Sequence, residues 1–268
     1  MNFLTDYEQD WAELCTNESK RCSPEYWNSR AEDYADFIVN SDFDHGRKIL
    51  ELFKKEGLIN QDMHIMDIGS GPGAISIPFA EEVRAITAVE PADEMANQLL
   101  KQAALKSLSN ISVIPHIWQE VYTGDLEKKI DMTICCHSVW HFPDLFTQIE
   151  RMQQVSRGYC VLSHGVHTPD DSSQLIQKLG MPQDDEDRFI LEKRILENRG
   201  IFPESSILPV KMRRTIGSAR SMLILGLKKY REPEIQDLNL IEEHLMMNVK
   251  NGMYVREGKM GVLWWRVS

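Results

Sequence analysis

Short apolar runs alternate with amphipathic stretches through the middle of the chain. Between the runs, apolar residues recur at the spacing of a helix face, as in PADEMANQLLKQAALKSL at 91–108. Apolar strands separated by such helices predict a parallel sheet that is covered on both faces. The runs predicted to form these strands are 64–68, 84–90, 111–116, 130–136 and 158–163.

The regular alternation ends near residue 165. We predict one or two helices with an acidic connection, which form an inserted lid at about 169–206. An amphipathic strand at 207–216, two helices and a Trp-containing strand at 260–267 complete the chain. The predicted fold class is therefore α/β, with a doubly wound, mostly parallel sheet of seven strands.

The first 44 residues are rich in aromatic and acidic side chains. Tyr26, Trp27 and Tyr34 recur at helical spacing after a Ser23-Pro24 pair, which is a typical helix start. The pattern fits either a helix packed on the core or a lid over a ligand. We predict an N-terminal helical cap at 1–44 and a Rossmann-like core at 45–268.

Composition and charge narrow the classes of partner. The chain has 268 residues, 42% of them hydrophobic, and a formal net charge of −11. An acidic chain without a basic run is poorly suited to nucleic acid or to an anionic membrane. Its apolar runs are too short to span a bilayer, and its five cysteines suit reduced thiols. We therefore expect a cytoplasmic protein that acts on small molecules.

A glycine-rich turn, MDIGSGPG at 66–73, follows the first strand and precedes a helix. Glycines at this place let the backbone approach a ligand, and the free N–H groups of the helix point toward it. The second strand ends at Glu90, whose carboxylate can accept hydrogen bonds from ribose hydroxyls. The arrangement indicates a ligand that contains a nucleoside.

Two kinds of nucleoside ligand fit the spacing. Gly69-x-Gly71-x-x-Ala74 satisfies a loose dinucleotide pattern, and Gly69-x-Gly71-x-Gly73 satisfies a different one. An acid at Asp67 suits an ammonium group better than a pyrophosphate, and Pro72 removes an N–H that a pyrophosphate could use. The second pattern is favoured, and a nicotinamide-dependent oxidoreductase is kept as an alternative.

Three segments carry a resemblance to a known family. MDIGSGPGAISIPFA, AVEPADEMANQL and IDMTICCHSVWHFPD resemble, in order and spacing, the nucleotide-site motifs of class I S-adenosylmethionine-dependent methyltransferases. The clear resemblance covers about 45–165. It implies an enzyme that binds S-adenosyl-L-methionine and releases S-adenosyl-L-homocysteine, and it says nothing about the methyl acceptor.

The resemblance also implies roles for individual residues. The glycines make room for the aminocarboxypropyl part of the cofactor, Asp67 lies near its ammonium group, and Glu90 holds the ribose. The backbone at His137 meets the methionine portion. The implied cofactor site comprises Asp67, Gly69, Ser70, Gly71, Gly73, Glu90, Pro91, Met95, Trp118, Gln119 and His137.

The remaining candidates concern the acceptor. His141 follows the fourth strand and is the candidate general base, and shaping the pocket is its alternative role. No pair of His and Cys residues has metal-ligand spacing, including His164 and His167, so no metal is expected. Candidates for the lid or substrate site are Tyr26, Arg30, Tyr34, Trp140 and His164. A cofactor-binding protein without catalysis is the second functional hypothesis.

Overall fold

The computed structural model describes residues 6–19, 22–166, 171–182 and 187–267. Ten helices are assigned within these ranges, and three single-turn 3₁₀ segments lie between β3 and α6. The α-helices are α1 Asp6–Ser19, α2 Pro24–Asn40, α3 Asp44–Lys55, α4 Ser76–Ala80, α5 Asp93–Leu105, α6 Leu145–Val155, α7 Asp171–Lys178, α8 Arg188–Asn198, α9 Ile216–Lys228 and α10 Ile235–Met247. The strands are β1 His64–Ile68, β2 Ala85–Val89, β3 Ile111–Ile114, β4 Ile130–Cys136, β5 Ser156–Val166, β6 Glu204–Arg214, β7 Val249–Lys250 and β8 Met253–Arg266.

The strands form one sheet in the order β3-β2-β1-β4-β5-β8-β6, and the two-residue β7 pairs with β8 at its start. Strands β1 to β5 are parallel, whereas β8 runs antiparallel to β5 and β6. The strand order reverses beside β1. At this position a crevice lies between the two halves of the sheet, at the carboxyl ends of the parallel strands. This confirms the predicted doubly wound, mostly parallel α/β fold.

The last strand differs from its predicted length. It was expected at 260–267, but β8 begins at Met253 and pairs with β6 from Tyr254 to Trp264. Residues 253–259 are less apolar than the rest of β8, which hid their strand character in the sequence. They are held by a long antiparallel ladder with β6, and such pairing depends on a segment distant in sequence.

Helices cover both faces of the sheet with separate apolar layers. Trp11, Ile149 and Ile195 bring α1, α6 and α8 onto one face. Phe53 and Phe79 bring α3 and α4 onto the other. Because successive side chains of a strand point to opposite faces of the sheet, each buried strand contributes to both apolar layers. The packing of these layers holds the ends of the strands in fixed positions relative to one another.

Helix α2 lies across the carboxyl end of the sheet and is docked by a buried charge network. It begins as predicted, with Ser23 as N-cap and Pro24 in the first turn. Arg30 Nε and Nη2 each donate to a carboxylate oxygen of Asp33 at 2.8 Å, and Arg214 of β6 pairs with the same carboxylate at 3.4 Å. All three side chains are buried, so the network fixes α2 against β6.

Candidate functional site

The glycine turn connects β1 to α4 in a left-handed backbone. Gly69, Gly71 and Gly73 have φ values of 71°, 51° and 97°, a region that side chains with a Cβ disfavour. The backbone N–H groups of Gly69 and Ser70 both donate to the carbonyl of Val89, at 2.8 and 3.2 Å. The turn is thereby tied to the end of β2.

The three glycines meet different surroundings. A Cβ on Gly69 would lie 2.5 Å from the Ser138 side chain, and one on Gly73 would lie 2.6 Å from Leu99. A Cβ on Gly71 would meet only Tyr34, at 4.0 Å. Gly69 and Gly73 are therefore required by close packing, whereas Gly71 faces open space.

Glu90 braces the turn from the end of β2. Its Oε2 accepts a hydrogen bond from the Gly71 N–H at 2.8 Å, and its Oε1 accepts one from the Ala92 N–H at 2.9 Å. Burial raises the pKa of this carboxyl, and the two backbone bonds oppose the rise. A carboxylate oxygen has a second lone pair, so both oxygens can still accept from a ligand.

Asp67 lies at the end of β1 and beneath the turn. Its Oδ2 accepts from both the N–H and the hydroxyl of Ser76, at 3.1 and 2.6 Å. Complete burial raises the pKa of Asp67 to about 7, against the hydrogen bonds from Ser76, and the nearby Glu90 adds to the rise. The carboxyl thus stands close to its titration point at neutral pH.

A cavity of about 570 Å³ opens above the turn, a volume within the usual range for a small-molecule site. The residues that the sequence analysis assigned to the cofactor, apart from Gly73, all line it. Trp118 and Gln119 approach it from the segment after β3, and His137 from the end of β4. Residues distant in sequence are therefore gathered at one end of the sheet.

The structure places some of the candidate acceptor-site residues in the cavity wall and others away from it. Tyr34 and His141 line the cavity, and the other four candidates do not. Arg30 donates to the Tyr26 hydroxyl at 2.7 Å, within the charge network of α2. Trp140 stacks on His141 at 3.8 Å between ring centroids.

His164 lies behind the cavity wall, in β5. Its Nδ1 is 2.8 Å from Oε1 of Glu192, a residue of α8 whose side chain is fully buried. His167 lies outside the described residues. Within the ranges that the structure describes, no group of three or more His, Cys, Asp and Glu side chains is arranged to hold a metal ion.

Several lining residues were missed by the sequence analysis. Trp27 was recognised on the helix face but not as part of a site, and Phe37 was not singled out. His45 and Met212 gave no local signal, because one begins an amphipathic helix and the other lies within a strand. All four line the cavity, as do Cys22, Ser23, Pro24, Ile38, Ile75, Ile117, Cys136, Ser138 and Phe142.

Comparison with known proteins identifies the fold and the family. A model of the methyltransferase domain matches residues 65–157, which contain the turn, Glu90 and His137. This match and the fold support a class I S-adenosylmethionine-dependent methyltransferase. The protein is thus an enzyme whose methyl donor is S-adenosylmethionine, as the resemblance implied.

Solved structures of other proteins have the same fold as this methyltransferase. The YcgJ protein from Bacillus subtilis has a TM-score of 0.51 and 15% identity, and the match covers 81% of this chain and 97% of that one. The magnesium protoporphyrin IX methyltransferase from Synechocystis PCC 6803, solved with S-adenosylhomocysteine, has a TM-score of 0.51 and 12% identity, with 84% of each chain covered. A search of curated proteins gave no match.

The cavity of this methyltransferase has the polar groups that such a cofactor needs. Buried side-chain atoms without a protein partner are costly, and they point to a missing ligand or water. Four of them belong to lining residues: Trp27 Nε1, Ser70 Oγ, Trp118 Nε1 and His137 Nε2. The carboxylate of Glu90 and the unpaired atoms of Trp27, Ser70 and Trp118 fit a ligand that carries a nucleoside and an amino acid.

No helix within the described residues is long and apolar enough to cross a membrane.

Proposed function

We propose that this methyltransferase transfers a methyl group to a small-molecule acceptor inside the cavity beneath α2. The enclosure of the cavity by this helix supports the proposal. Trp27, Tyr34, Phe37 and Ile38 all line the cavity from α2. A polymer would need an open groove at this position, whereas a small molecule can be surrounded.

The docking of α2 supports a permanent roof over the site. Besides the network of Arg30, Asp33 and Arg214, the Ser218 hydroxyl of α9 donates to the Asp33 carbonyl at 2.8 Å. The Thr215 N–H donates to the Asp36 carboxylate at 2.9 Å. We propose that residues 1–44 form the cap of the active site, and that the helical segment within 169–206 supports the cavity wall from behind, where Glu192 holds His164.

The chain's own residues would hold the cofactor in the following way. The carboxylate of Glu90 would accept hydrogen bonds from the ribose hydroxyls, and Asp67 would lie near the ammonium group. Pro91, Met95, Trp118 and Gln119 would surround the adenine. Ser70 and Gly71 would face the methionine part.

Bound S-adenosylmethionine supplies a methyl carbon that is already activated by its sulfonium. The protein therefore contributes chiefly orientation and the exclusion of water. The apolar roof of α2 would exclude water, and the lining histidines can receive a proton. His141, the base predicted from sequence, lines the cavity with its ring stacked on Trp140, and its role stays a prediction. The enzyme from Synechocystis, named for a porphyrin substrate, offers an analogy for a small acceptor on this fold.

A labelling experiment tests the proposal. The purified protein is incubated with methyl-labelled S-adenosylmethionine and a cell extract that has been divided by ultrafiltration into small molecules and macromolecules. We expect label in the small-molecule fraction, and no transfer by a Gly71→Val variant, whose side chain enters the cavity. Transfer only to macromolecules would refute the proposed acceptor class. Cofactor binding without transfer to either fraction would indicate the non-catalytic alternative.

A further inference from the structure

The side chain of His137 has features that a structural role does not explain. The residue lines the cavity, and its Nε2 is buried without a partner. An unpaired buried polar atom of this kind is costly, because its lost hydration is not replaced. The backbone of His137 is also left-handed, with a φ of 56°. Such a conformation is unfavourable for most residues and is often retained at functional sites.

The backbone of His137 is already engaged within the protein. Its N–H donates to the Ser163 carbonyl at 2.9 Å, and its carbonyl accepts from the Trp140 indole at 2.8 Å. The sequence analysis assigned the backbone of this residue to the cofactor. In the structure, Nε2 of the ring lacks a partner, so the ring can bind a ligand in addition to the backbone.

Two further imidazoles pack against the ring of His137. Its centroid lies 5.1 Å from that of His45 and 6.1 Å from that of His164, with both neighbours edge-on. His164 is in turn anchored to the buried Glu192 at 2.8 Å. The orientation of His137 is therefore determined by elements from three parts of the chain: α3, β5 and α8.

His45 and His137 present neutral rings to the cavity. Burial lowers the pKa of His45 to about 4 and lowers the pKa of His137 well below its usual range, where His45 and His164 add to the effect. A neutral imidazole can accept a hydrogen bond or a proton. It forms no ion pair with a carboxylate or a phosphate.

The wall beside these histidines is aromatic and apolar. Tyr34, Phe37 and His45 form a continuous row, with centroids separated by 5.5 and 5.7 Å and rings edge-on. Ile38 and Met212 extend this surface along the cavity. Flat apolar molecules pack well against such a wall, since aromatic rings favour edge-on and offset contacts.

We propose that His137 is a catalytic residue whose Nε2 receives the proton of the acceptor, and that the acceptor is a neutral, flat, apolar molecule with a hydroxyl or N–H group. This inference rests on the proposed function. The acceptor's lone pair forms the bond to the methyl carbon, and the carbon–sulfur bond breaks with its electron pair left on sulfur. The acceptor proton passes to Nε2 of His137. The sulfonium charge disappears as the imidazolium forms, so the net charge of the cavity is unchanged.

Matched aromatic probes test the acceptor class on the protein saturated with S-adenosylhomocysteine. 2-Naphthol carries a hydroxyl, and 2-naphthoate carries a carboxylate on the same ring system. Calorimetry should show 2-naphthol binding at least tenfold more tightly than 2-naphthoate. Equal or tighter binding of 2-naphthoate, or no binding of 2-naphthol at millimolar concentration, would overturn the proposal.

Three variants test the role of His137 itself. Asn tolerates a left-handed backbone, so His137→Asn is the substitution most compatible with folding. It should weaken 2-naphthol at least tenfold and change S-adenosylhomocysteine affinity less than threefold. His116→Asn, at an exposed histidine, should change 2-naphthol affinity less than threefold, and His141→Asn, in the cavity wall, should reduce it less than His137→Asn does. A large loss in His141→Asn with none in His137→Asn would assign the role to His141 and refute ours.

The outcomes separate this inference from the proposed function. If label from the cofactor reaches only macromolecules, the small-molecule function fails. If label reaches small molecules and 2-naphthoate is the better ligand, only the inference fails. Should His137→Asn not fold, the two probes on the unmodified protein still decide the acceptor class.

Discussion

At the scale of single residues, the glycines of the turn are needed for two different reasons, close packing against neighbours and access to the cavity, which the sequence does not distinguish. All three glycines have positive φ. Gly69 and Gly73 also make room for neighbouring side chains, whereas Gly71 faces the cavity. Substitutions in the same turn should therefore have different consequences.

Gly71→Ala should mainly impair binding, and Gly69→Ala should mainly impair stability. Both place a Cβ at positive φ, at a cost of roughly 1–2 kcal/mol. Overpacking against Ser138 adds about 1–3 kcal/mol in Gly69→Ala. Urea denaturation should show this larger loss, and calorimetry should show at least tenfold weaker S-adenosylhomocysteine binding to Gly71→Ala. Equal stabilities of the two variants would contradict the packing role of Gly69.

Asp67 should make the stability of the cofactor-free protein depend on pH. Burial raises its pKa to about 7, so the folded protein retains a proton that the unfolded chain releases near pH 4. This proton adds up to roughly 4 kcal/mol to the free energy of unfolding. The contribution is complete below pH 4 and is lost as the pH rises to about 7. Glu90, whose pKa is also raised by burial, acts in the same direction.

Asp67→Asn provides the measurement. Denaturant titrations at pH 5 and pH 8 should show that the wild type loses more stability on going to pH 8 than the variant does. The amide can still accept the hydrogen bonds from Ser76, so the variant is expected to fold. The same pH dependence in both proteins would show that Asp67 ionises normally.

At the scale of elements, the docking of α2 rests on one carboxylate between two guanidinium groups. Asp33 is the shared partner of Arg30 and Arg214. Burial lowers the pKa of Arg214 to about 10, against the effect of Asp33. The roof of the cavity is thus attached through charges that are costly to leave unpaired.

Asp33→Ala should reduce the free energy of unfolding by roughly 3–5 kcal/mol, because it leaves two buried cations without their partner. Glu51→Ala removes an exposed ion pair with Lys48 and should cost less than about 1 kcal/mol. Chemical denaturation of the two variants checks the contrast. A loss below 1 kcal/mol in Asp33→Ala would mean that the network does not hold α2.

At the scale of the whole molecule, the cavity is lined by residues from both halves of the sheet and from α2, so we expect cofactor binding to stabilise the whole fold. A ligand at 100 times its Kd stabilises the folded state by about 2.7 kcal/mol. For a domain of this size, this corresponds to a rise in Tm of about 5–10 °C. S-Adenosylhomocysteine should produce this shift, and NAD at the same concentration should not.

Glu90→Ala serves as the control for that shift. It removes the carboxylate that would accept from the ribose, so the affinity should fall at least tenfold, or about 1.4 kcal/mol. At the S-adenosylhomocysteine concentration used for the wild type, the rise in Tm of the variant should therefore be smaller. An unchanged shift in the variant, or an equal one with NAD, would refute the assignment of Glu90 to the ribose.

The sequence by itself determined the alternating strands and helices, the doubly wound sheet and the place of the glycine turn. These features depend on local periodicity and on backbone freedom, which neighbouring residues encode. Glu90 could be predicted for the same reason, since it follows β2 at a regular distance from the turn. The resemblance of three local motifs to those of class I methyltransferases then predicted the identity of the cofactor.

Only the tertiary structure decided which side chains meet in the cavity. His45 and Met212 come from α3 and β6, and no local pattern records their approach to the residues predicted at the site. The same holds for Arg30, which local spacing placed at the ligand but which pairs with Asp33 and the Tyr26 hydroxyl. Packing between distant segments sets the burial, partners and charge of each group, and therefore its chemistry.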